Sequence, residues 1–378
     1  MFRSAWLMLS YTLLISLCAD PAIFGEDQEE FRPLFNGKDL TGWVLVNTPP
    51  QTWSVKDEML VCTGKPIGEI RTDRMYQNFI MEVEWRHMVP GGNAGIFIWA
   101  DDITSKGVPF HRSIEVQVLE NAYGQSKGHT THGDIFPIHG ATMKPENGRG
   151  GGGRAFPTEE RSKPSPEWNH YRIEGRDGSI SLAVNGKVVT QGSDASPRKG
   201  YICLESEGGV VHYRNLKIRE LPDSPVDEKH VAIANRGYRS LYTGLDLSGW
   251  TGTEAGLPHW KANDWVLTYD GKAATPVDAV LTSPQKLSDH GFLFDIRPGK
   301  EFSNLTVCDA VISVWTEEHM PIGQWYRIEG TVIGQKLNLT INGLPVAKDH
   351  PLDHVPTFKL ATVGPADFAN IYLRELSQ

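Results

Sequence analysis

No stretch of 18 consecutive apolar residues occurs in this chain of 378, so a membrane-spanning helix is not expected. Nor is there a basic block: 37 Lys and Arg stand against 46 Asp and Glu, a formal charge of −9. Nucleic acid, whose phosphates require clustered cations, is therefore not the expected partner. Cysteine is scarce, four in all, and none lies at a metal-site spacing. Helical periodicity is almost missing. The glycine run Gly148-Arg-Gly-Gly-Gly-Gly-Arg154 lacks the Gly-Lys-Ser/Thr ending and the following helix of a phosphate loop. It reads instead as a flap over a cleft.

What is abundant is glycine (38), proline (24), Trp (11) and Tyr (11), a composition of short strands and turns. At the amino terminus, Arg3 precedes an apolar run, Ala5 to Leu17, followed by the small residues Ala19, Ala22 and Gly25. Such a segment is expected to be a signal peptide over residues 1–25, which implies export to the periplasm or the extracellular space. Leu17 stands before Cys18 where a lipoprotein signal wants a small residue, which disfavours a lipid anchor. Past this segment Cys62, Cys203 and Cys308 remain, each in an apolar stretch and expected as buried thiols. An oxidising compartment also permits a Cys62–Cys203 bridge.

The chain repeats itself. Phe35-Asn-Gly-Lys-Asp-Leu-Thr-Gly-Trp43 is echoed by Tyr242-Thr-Gly-Leu-Asp-Leu-Ser-Gly-Trp250, and Trp53-Ser-Val by Trp260-Lys-Ala. Phe79 to Arg86 resembles Phe292 to Arg297, and Trp168-Asn-His-Tyr-Arg-Ile-Glu-Gly175 matches Trp325-Tyr-Arg-Ile-Glu-Gly330. Ile180-Ser-Leu-Ala-Val-Asn-Gly186 matches Leu337-Asn-Leu-Thr-Ile-Asn-Gly343, and Tyr213 to Leu221 matches Phe368 to Leu376. Period-two alternation at Ile180, Leu182 and Val184 predicts strands. Asn185-Gly186 and Asn342-Gly343 predict two-residue hairpins, since Asn and Gly accept the positive φ of a type I′ turn. The expected architecture is all-β: two tandem antiparallel sandwiches of jelly-roll type, over residues 31–221 and 238–378, joined by a Pro-rich linker at 222–237. The recurring Trp43, Trp53, Trp250 and Trp260 are expected in the cores.

The halves differ between the shared Arg and the shared Trp. Arg86 to Trp168 exceeds Arg297 to Trp325 by about 50 residues, and insertions on a sandwich concentrate function. This interval opens with the glycine-rich Gly91 to Trp99 and continues with Ser113-Ile-Glu-Val-Gln-Val-Leu-Glu120. In an extended strand Glu115 and Gln117 share one face, and Val116 and Val118 the other. Glu120 falls on the opposite parity and joins Glu115 only through a bulge. His129, His132 and His139 follow with Asp134 among them; His129, His132 and Asp134 are the candidates for a divalent metal or a general base. No cofactor is otherwise indicated.

The strings LFNGKDLTGW, GGNAGIFIW, IEVQVLE, PEWNHYRIEG and GYICLESEGGVVHYRNLKIREL together resemble the 3-keto-disaccharide hydrolase domain family. That resemblance spans about residues 31 to 221 and is weaker in the second half, which lacks the glycine-rich strand, the EVQ strand and the histidine loop. It implies a concanavalin-like jelly roll and an oligosaccharide or oxidised glycoside as substrate. A ketone at C3 acidifies the C2 proton, so a base there allows the C1 substituent to leave by β-elimination, and water then adds back. Such a site needs a base, an electrophile for the enolate oxygen and an acid at the leaving oxygen. Glu115 or His132 would be the base, and a metal, Arg112 or Lys144 would meet the oxyanion. Gln117, Asn93 and Asp134 would hold hydroxyls, and Trp99 would face a sugar ring.

Two other readings stand beside this one. The first is a non-catalytic glycan-binding protein, since sandwiches of this type bind glycans without chemistry. In the second, EVQVLE is similar to the Glu-x-Asp-x-x-Glu strand of laminarinase-type retaining glycosidases, with Glu115 as nucleophile and Glu120 as acid/base. Gln117 replaces the Asp of that strand and cannot tune its neighbours by charge, which ranks this reading below elimination.

Overall fold

The computed structural model describes residues 30–123, 132–148, 152–234, 236–283, 285, 287–312, 321–353 and 357–376. The segment expected to be a signal peptide, and His129, lie outside these residues. No described helix is long and apolar enough to cross a membrane.

The chain is all-β, built as two antiparallel sandwiches. In the first, a nine-stranded back sheet runs in the order Thr142–Pro145, Lys187–Ser196, Ser179–Val184, Asn169–Arg176, Phe79–His87, Val211–Glu220, Met59–Cys62, Trp53–Lys56, with Arg32–Pro33 added beside Val211–Glu220. The six-stranded front sheet runs Trp43–Val46, Gly68–Thr72, Tyr201–Ser206, Asn93–Ala100, Ser113–Leu119, Ile135–Ile138. Alternating apolar side chains of both sheets meet in one core that includes Trp43, Trp53, Trp85, Ile96, Val116, Ile173 and Leu204.

The eight-stranded large sheet of the second sandwich repeats the order of the first back sheet read from its other edge: Trp260–Asn263, Val266–Tyr269, Ala366–Glu375, His290–Pro298, Tyr326–Ile333, Lys336–Ile341, Leu344–Pro351, with Arg239–Ser240 added beside Ala366–Glu375. Its partner is reduced to four short strands, Leu281–Thr282, Lys359–Val363, Asn304–Val307 and Ala310–Ile312. Trp250 and Trp260 pack in this second core. The two Asn-Gly turns form as expected: Asn185 and Gly186 have φ of 48° and 87°, Asn342 and Gly343 of 49° and 79°. Cys62, Cys203 and Cys308 are free and buried, so the permitted Cys62–Cys203 bridge does not form. Cys62 lies in the core between the sheets, and Cys203 points out of the other side of the front sheet.

The sandwiches are held together by a buried polar lock. The connection from Asn93–Ala100 to Ser113–Leu119 lies on the outer face of the second large sheet. There the Gly107 amide donates to Asp295 Oδ2 at 2.8 Å, and Asn370 donates to the carbonyls of Ser105 (3.0 Å) and Val108 (2.9 Å). Thr104 meets Tyr372 at 2.8 Å, and Val46, Ile103, Leu293 and Tyr372 form a small apolar seam. Asp264, on a hairpin turn of the second sandwich, accepts from the Ile67 amide at 2.5 Å, next to the start of a front-sheet strand.

Candidate functional site

Period-two geometry builds the site. Ile114, Val116 and Val118 point into the core, which sends Glu115 and Gln117 to the outer face of the front sheet. Cross-strand register then fixes their neighbours. Gly95 lies opposite Gln117 and Phe97 opposite Glu115, while Cys203 lies opposite Phe97 and Glu205 opposite Glu69. Glu69, Glu115 and Glu205 therefore share one face, and all three are buried. Glu207, just past the end of its strand, is half-buried, as are Asn93, Phe136 and Arg154. The polar floor reaches the surface at these last four residues.

Gly95 is what allows the carboxyl groups to converge. A Cβ at this position would stand 2.9 Å from Glu115 Oε1 and 3.0 Å from Glu205 Oε2, closer than a methyl group tolerates. Asn93 donates its amide to Glu207, and Gln117 donates to Asn93 Oδ1 at 3.0 Å and to the Ala94 carbonyl at 3.2 Å. Arg154 donates to Asp134 Oδ2 at 2.8 Å and stacks 3.3 Å above the Phe136 ring.

Burial and mutual repulsion set the protonation of this floor. Burial pushes Glu115 up to about 8, the negative charge of Glu207 adds to this, and the Arg154 guanidinium pulls the other way. Burial, then Glu115 and Glu207, push Glu205 well above the carboxylate range. Glu207 is also raised by burial, while its contact with Glu205 opposes the rise. Carboxyl groups with different affinities for one proton, side by side, can divide acid and base roles.

The other residues singled out from the sequence are placed as follows. Asp134 is fully buried beside this floor, paired with Arg154. His132 is buried, burial lowers its proton affinity, and its electrostatic neighbours are Glu160, Asp134 and Glu120. No described hydrogen bond joins it to Glu115, and its Nε2 has no partner among the described residues.

Trp99 is a correction. Its φ of 56° and a register shift in the neighbouring strand turn it into the core, where Nε1 donates to the Gln77 carbonyl at 2.9 Å. It offers no face to a ligand. Arg112 is committed to a bidentate pair with Asp101, at 3.0 and 2.9 Å, and Asp101 also accepts from the Ile233 amide of the linker. Lys144 is exposed on the edge strand of the back sheet, away from the floor. Glu120 does not join Glu115. Its carboxylate accepts from the amides of Gly91 (2.7 Å), Ala122 (2.7 Å) and Ser165 (3.0 Å); burial, the largest single influence, raises its proton affinity, but these bonds together outweigh it and hold the group below the usual carboxylate range. An acid/base role for Glu120 does not fit a group ionised and tied in this way.

Glu205, Glu207, Glu69, His111, Cys203 and Arg154 were not singled out as site residues by sequence reasoning. A signal for three of them exists in Tyr201-Ile-Cys-Leu-Glu-Ser-Glu207: once Ile202 and Leu204 are put in the core, Cys203, Glu205 and Glu207 fall on the face of Glu115 by parity. Among the described residues, metal-ligating side chains gather at Glu69, His111 and Cys203, all buried, with ligand atoms within 4.8 Å of one another. His132 and Asp134 do not form such a group with a third ligand among the described residues.

Residues 30–219 match the model of the 3-keto-alpha-glucoside-1,2-lyase-like domain. The chain is 23% identical over 240 residues to a 3-keto-disaccharide hydrolase of Bacteroides thetaiotaomicron, across 52% of this chain and 80% of that protein. It is similar to two solved structures from Parabacteroides distasonis, provisionally described as glycosyl hydrolases. One is 23% identical over 51% of this chain and 94% of its own, with a TM-score of 0.41. The other is 25% identical over 51% and 100%, with a TM-score of 0.39.

Proposed function

The chain belongs to the 3-keto-alpha-glucoside-1,2-lyase-like family, and we propose that its first sandwich cleaves glycosides oxidised at C3 by proton abstraction at C2 and β-elimination. The supporting observation is the Glu115–Glu205 pair. Glu115, raised to about 8, is a far stronger base than an ordinary carboxylate, while burial, Glu115 and Glu207 push Glu205 well above the carboxylate range and so favour its protonated form.

In this reading the Glu115 carboxylate takes the C2 proton, and the C–H electron pair moves to the C3 oxygen as an enolate. Arg154 lies near enough for its charge to act on Glu115 and supplies the positive potential that favours the oxyanion. The enolate then re-forms the ketone as C1=C2 appears and the C1–O bond breaks. Glu205 gives its proton to the departing oxygen. Water adds across the double bond: as its hydroxyl joins C1 its other proton restores Glu205, and Glu115, its proton exchanged with solvent, protonates C2, so the net change is hydrolysis. Asn93 and Gln117, linked to each other at the mouth, supply neutral amides for sugar hydroxyls.

The second sandwich is proposed as non-catalytic. The outer face of its four-stranded sheet carries Asn304, Thr306, Val311 and Val363 where the first carries carboxyl groups. The apolar Ala5–Leu17 run supports export, so the substrate would be met in the periplasm or outside the cell.

The test is turnover of a 3-keto-glucoside against its unoxidised parent in deuterated water. Selective cleavage of the ketone, with deuterium at C2 of the early product beyond that of a 3-keto-sugar control, is the expected result. Cleavage with C2–H retained would overturn the elimination. Binding without turnover of either compound would leave a glycan-binding module.

A further inference from the structure

Next to the Glu115–Glu205 pair, on the same face, lies a second constellation that the proposed elimination does not use. We propose that Glu69, His111 and Cys203 form a binding site for one divalent transition-metal cation of the zinc class.

Three separate segments deliver these ligands. Glu69 comes from the strand Gly68–Thr72, Cys203 from its neighbour Tyr201–Ser206, and His111 from the connection that the second sandwich clamps. Period two puts Glu69 on the floor, because Ile70 beside it enters the core, and it puts Cys203 there between Ile202 and Leu204. His111 Nδ1 lies 2.6 Å from Glu69 Oε1 and 3.9 Å from Cys203 Sγ. The side chains of Glu69 and His111 are fully shielded from solvent, and Cys203 is 0% exposed.

The donor set selects the ion. One imidazole, one sulfur and one carboxylate are the ligands that zinc and its neighbours accept, whereas calcium and magnesium take oxygen. In a tetrahedral zinc site, bonds of about 2.0–2.3 Å leave ligand atoms roughly 3.3–3.6 Å apart. The sulfur–nitrogen spacing is close to this. The Nδ1–Oε1 contact is a hydrogen bond that opens by several tenths of an ångström when a cation replaces its proton.

Two further observations point to a cation. Glu69 Oε2 is buried with no hydrogen-bond partner among the described residues, and so is Glu205 Oε2 on the neighbouring strand. Buried polar atoms are rarely left unpaired, so two in one patch call for a further partner. The same face also gathers the carboxyl groups of Glu69, Glu115 and Glu205 out of water, with Glu207 at its rim, and a bound dication would stabilise their ionised forms. The plainer alternative is a His–Glu hydrogen bond beside an inert thiol.

The site stands apart from the elimination reading, because its readout is spectroscopic and requires no substrate. The full chain, stripped with chelator, is titrated with Co²⁺. One equivalent should bind and produce the near-ultraviolet thiolate-to-cobalt charge-transfer band, and one equivalent of Zn²⁺ should bleach it. Cys203→Ser should abolish the band, while Cys62→Ser and Cys308→Ser keep it. Glu69→Gln should weaken cobalt binding by at least the roughly 10–100-fold that loss of a supporting partner costs. Circular dichroism of each variant reports folding. Absence of the band in folded wild-type protein overturns the proposal even if Cys203→Ser fails to fold. Persistence of the band in folded Cys203→Ser also overturns it.

Discussion

Glu115 and Glu205 lean toward each other across Gly95, their nearest oxygens 2.9 and 3.0 Å from where a side chain on that glycine would begin. A single methyl group is therefore a wedge between the proposed base and acid. Gly95→Ala should cost about 1–3 kcal/mol of stability through overpacking. Displacement of the pair by an ångström should lower turnover of a 3-keto-glucoside by about a hundredfold. Glu115→Gln keeps the shape but removes the base, and kcat should fall by roughly 10²–10⁴ with the melting curve little changed. Full activity in either folded variant would remove Glu115 from the chemistry.

The pH dependence follows from the raised affinity of Glu115. With an inflection near 8, the fraction of ionised base grows as pH rises, so kcat/KM should climb from pH 6 to 9. Stability should move the opposite way. In the unfolded chain Glu115 ionises above its ordinary value of 4.5, whereas in the folded state it holds its proton to about 8. Between those values the folded state binds more protons, so this group's contribution falls as pH rises through the window and is constant outside it. Glu205, raised in the same direction, adds to the decline. Denaturant midpoints measured from pH 4 to 9 would reveal the trend, and a rising contribution that Glu115→Gln abolishes would contradict it. Because the carboxyl groups interact, both profiles report the cluster and not one residue.

The parts of this molecule governed by local rules were readable beforehand. Alternation placed Val116 and Val118 inward and Glu115 and Gln117 on the opposite face, and Asn185-Gly186 made its hairpin because few other pairs accept two positive φ angles. Trp99 was misplaced because a single left-handed residue resets strand parity, and nothing in Ile96-Phe-Ile-Trp99 signals that bulge. Arg112 and Lys144 looked available because charge alone was counted; Asp101 claims the first, and the position of an edge strand removes the second. Glu69 and Glu205 are 136 positions apart and meet only through cross-strand register, a long-range fact that no window of sequence contains.

Glu120 separates the elimination reading from direct hydrolysis by two carboxylates. Its three amide contacts tie together the Gly91 turn, the turn at Ala122 and the Ser165 segment. Glu120→Gln should therefore cost about 1–3 kcal/mol, the price of weakening charge-assisted bonds to backbone donors, and leave kcat on a 3-keto-glucoside within a few-fold. Loss of turnover at unchanged thermal stability would instead restore Glu120 as a catalytic group.

The clamp between the sandwiches carries the last prediction, because it determines whether the second half shapes the first. Asp295 accepts from Arg327 Nε and Nη2 at 2.8 and 2.9 Å, from the Gly107 amide at 2.8 Å and from Asn370 Nδ2 at 2.7 Å. Its side chain has no solvent exposure, while that of Arg327 keeps 18%. Asp295→Ala would leave that guanidinium without its counter-charge and Gly107 without its acceptor. Breaking a buried pair from one side costs about 3–5 kcal/mol, and the residual exposure of Arg327 favours the lower figure. The effect should be local as well as global: amides in the 101–110 connection should exchange faster, since Asp295 and Asn370 hold it at Gly107, Ser105 and Val108. His111 ends that connection, so relaxed clamping should also loosen its contact with Glu69 and weaken cobalt binding. Native exchange rates across 101–110 in a folded Asp295→Ala protein would mean that the second sandwich only rests against the first, without holding its loop in place.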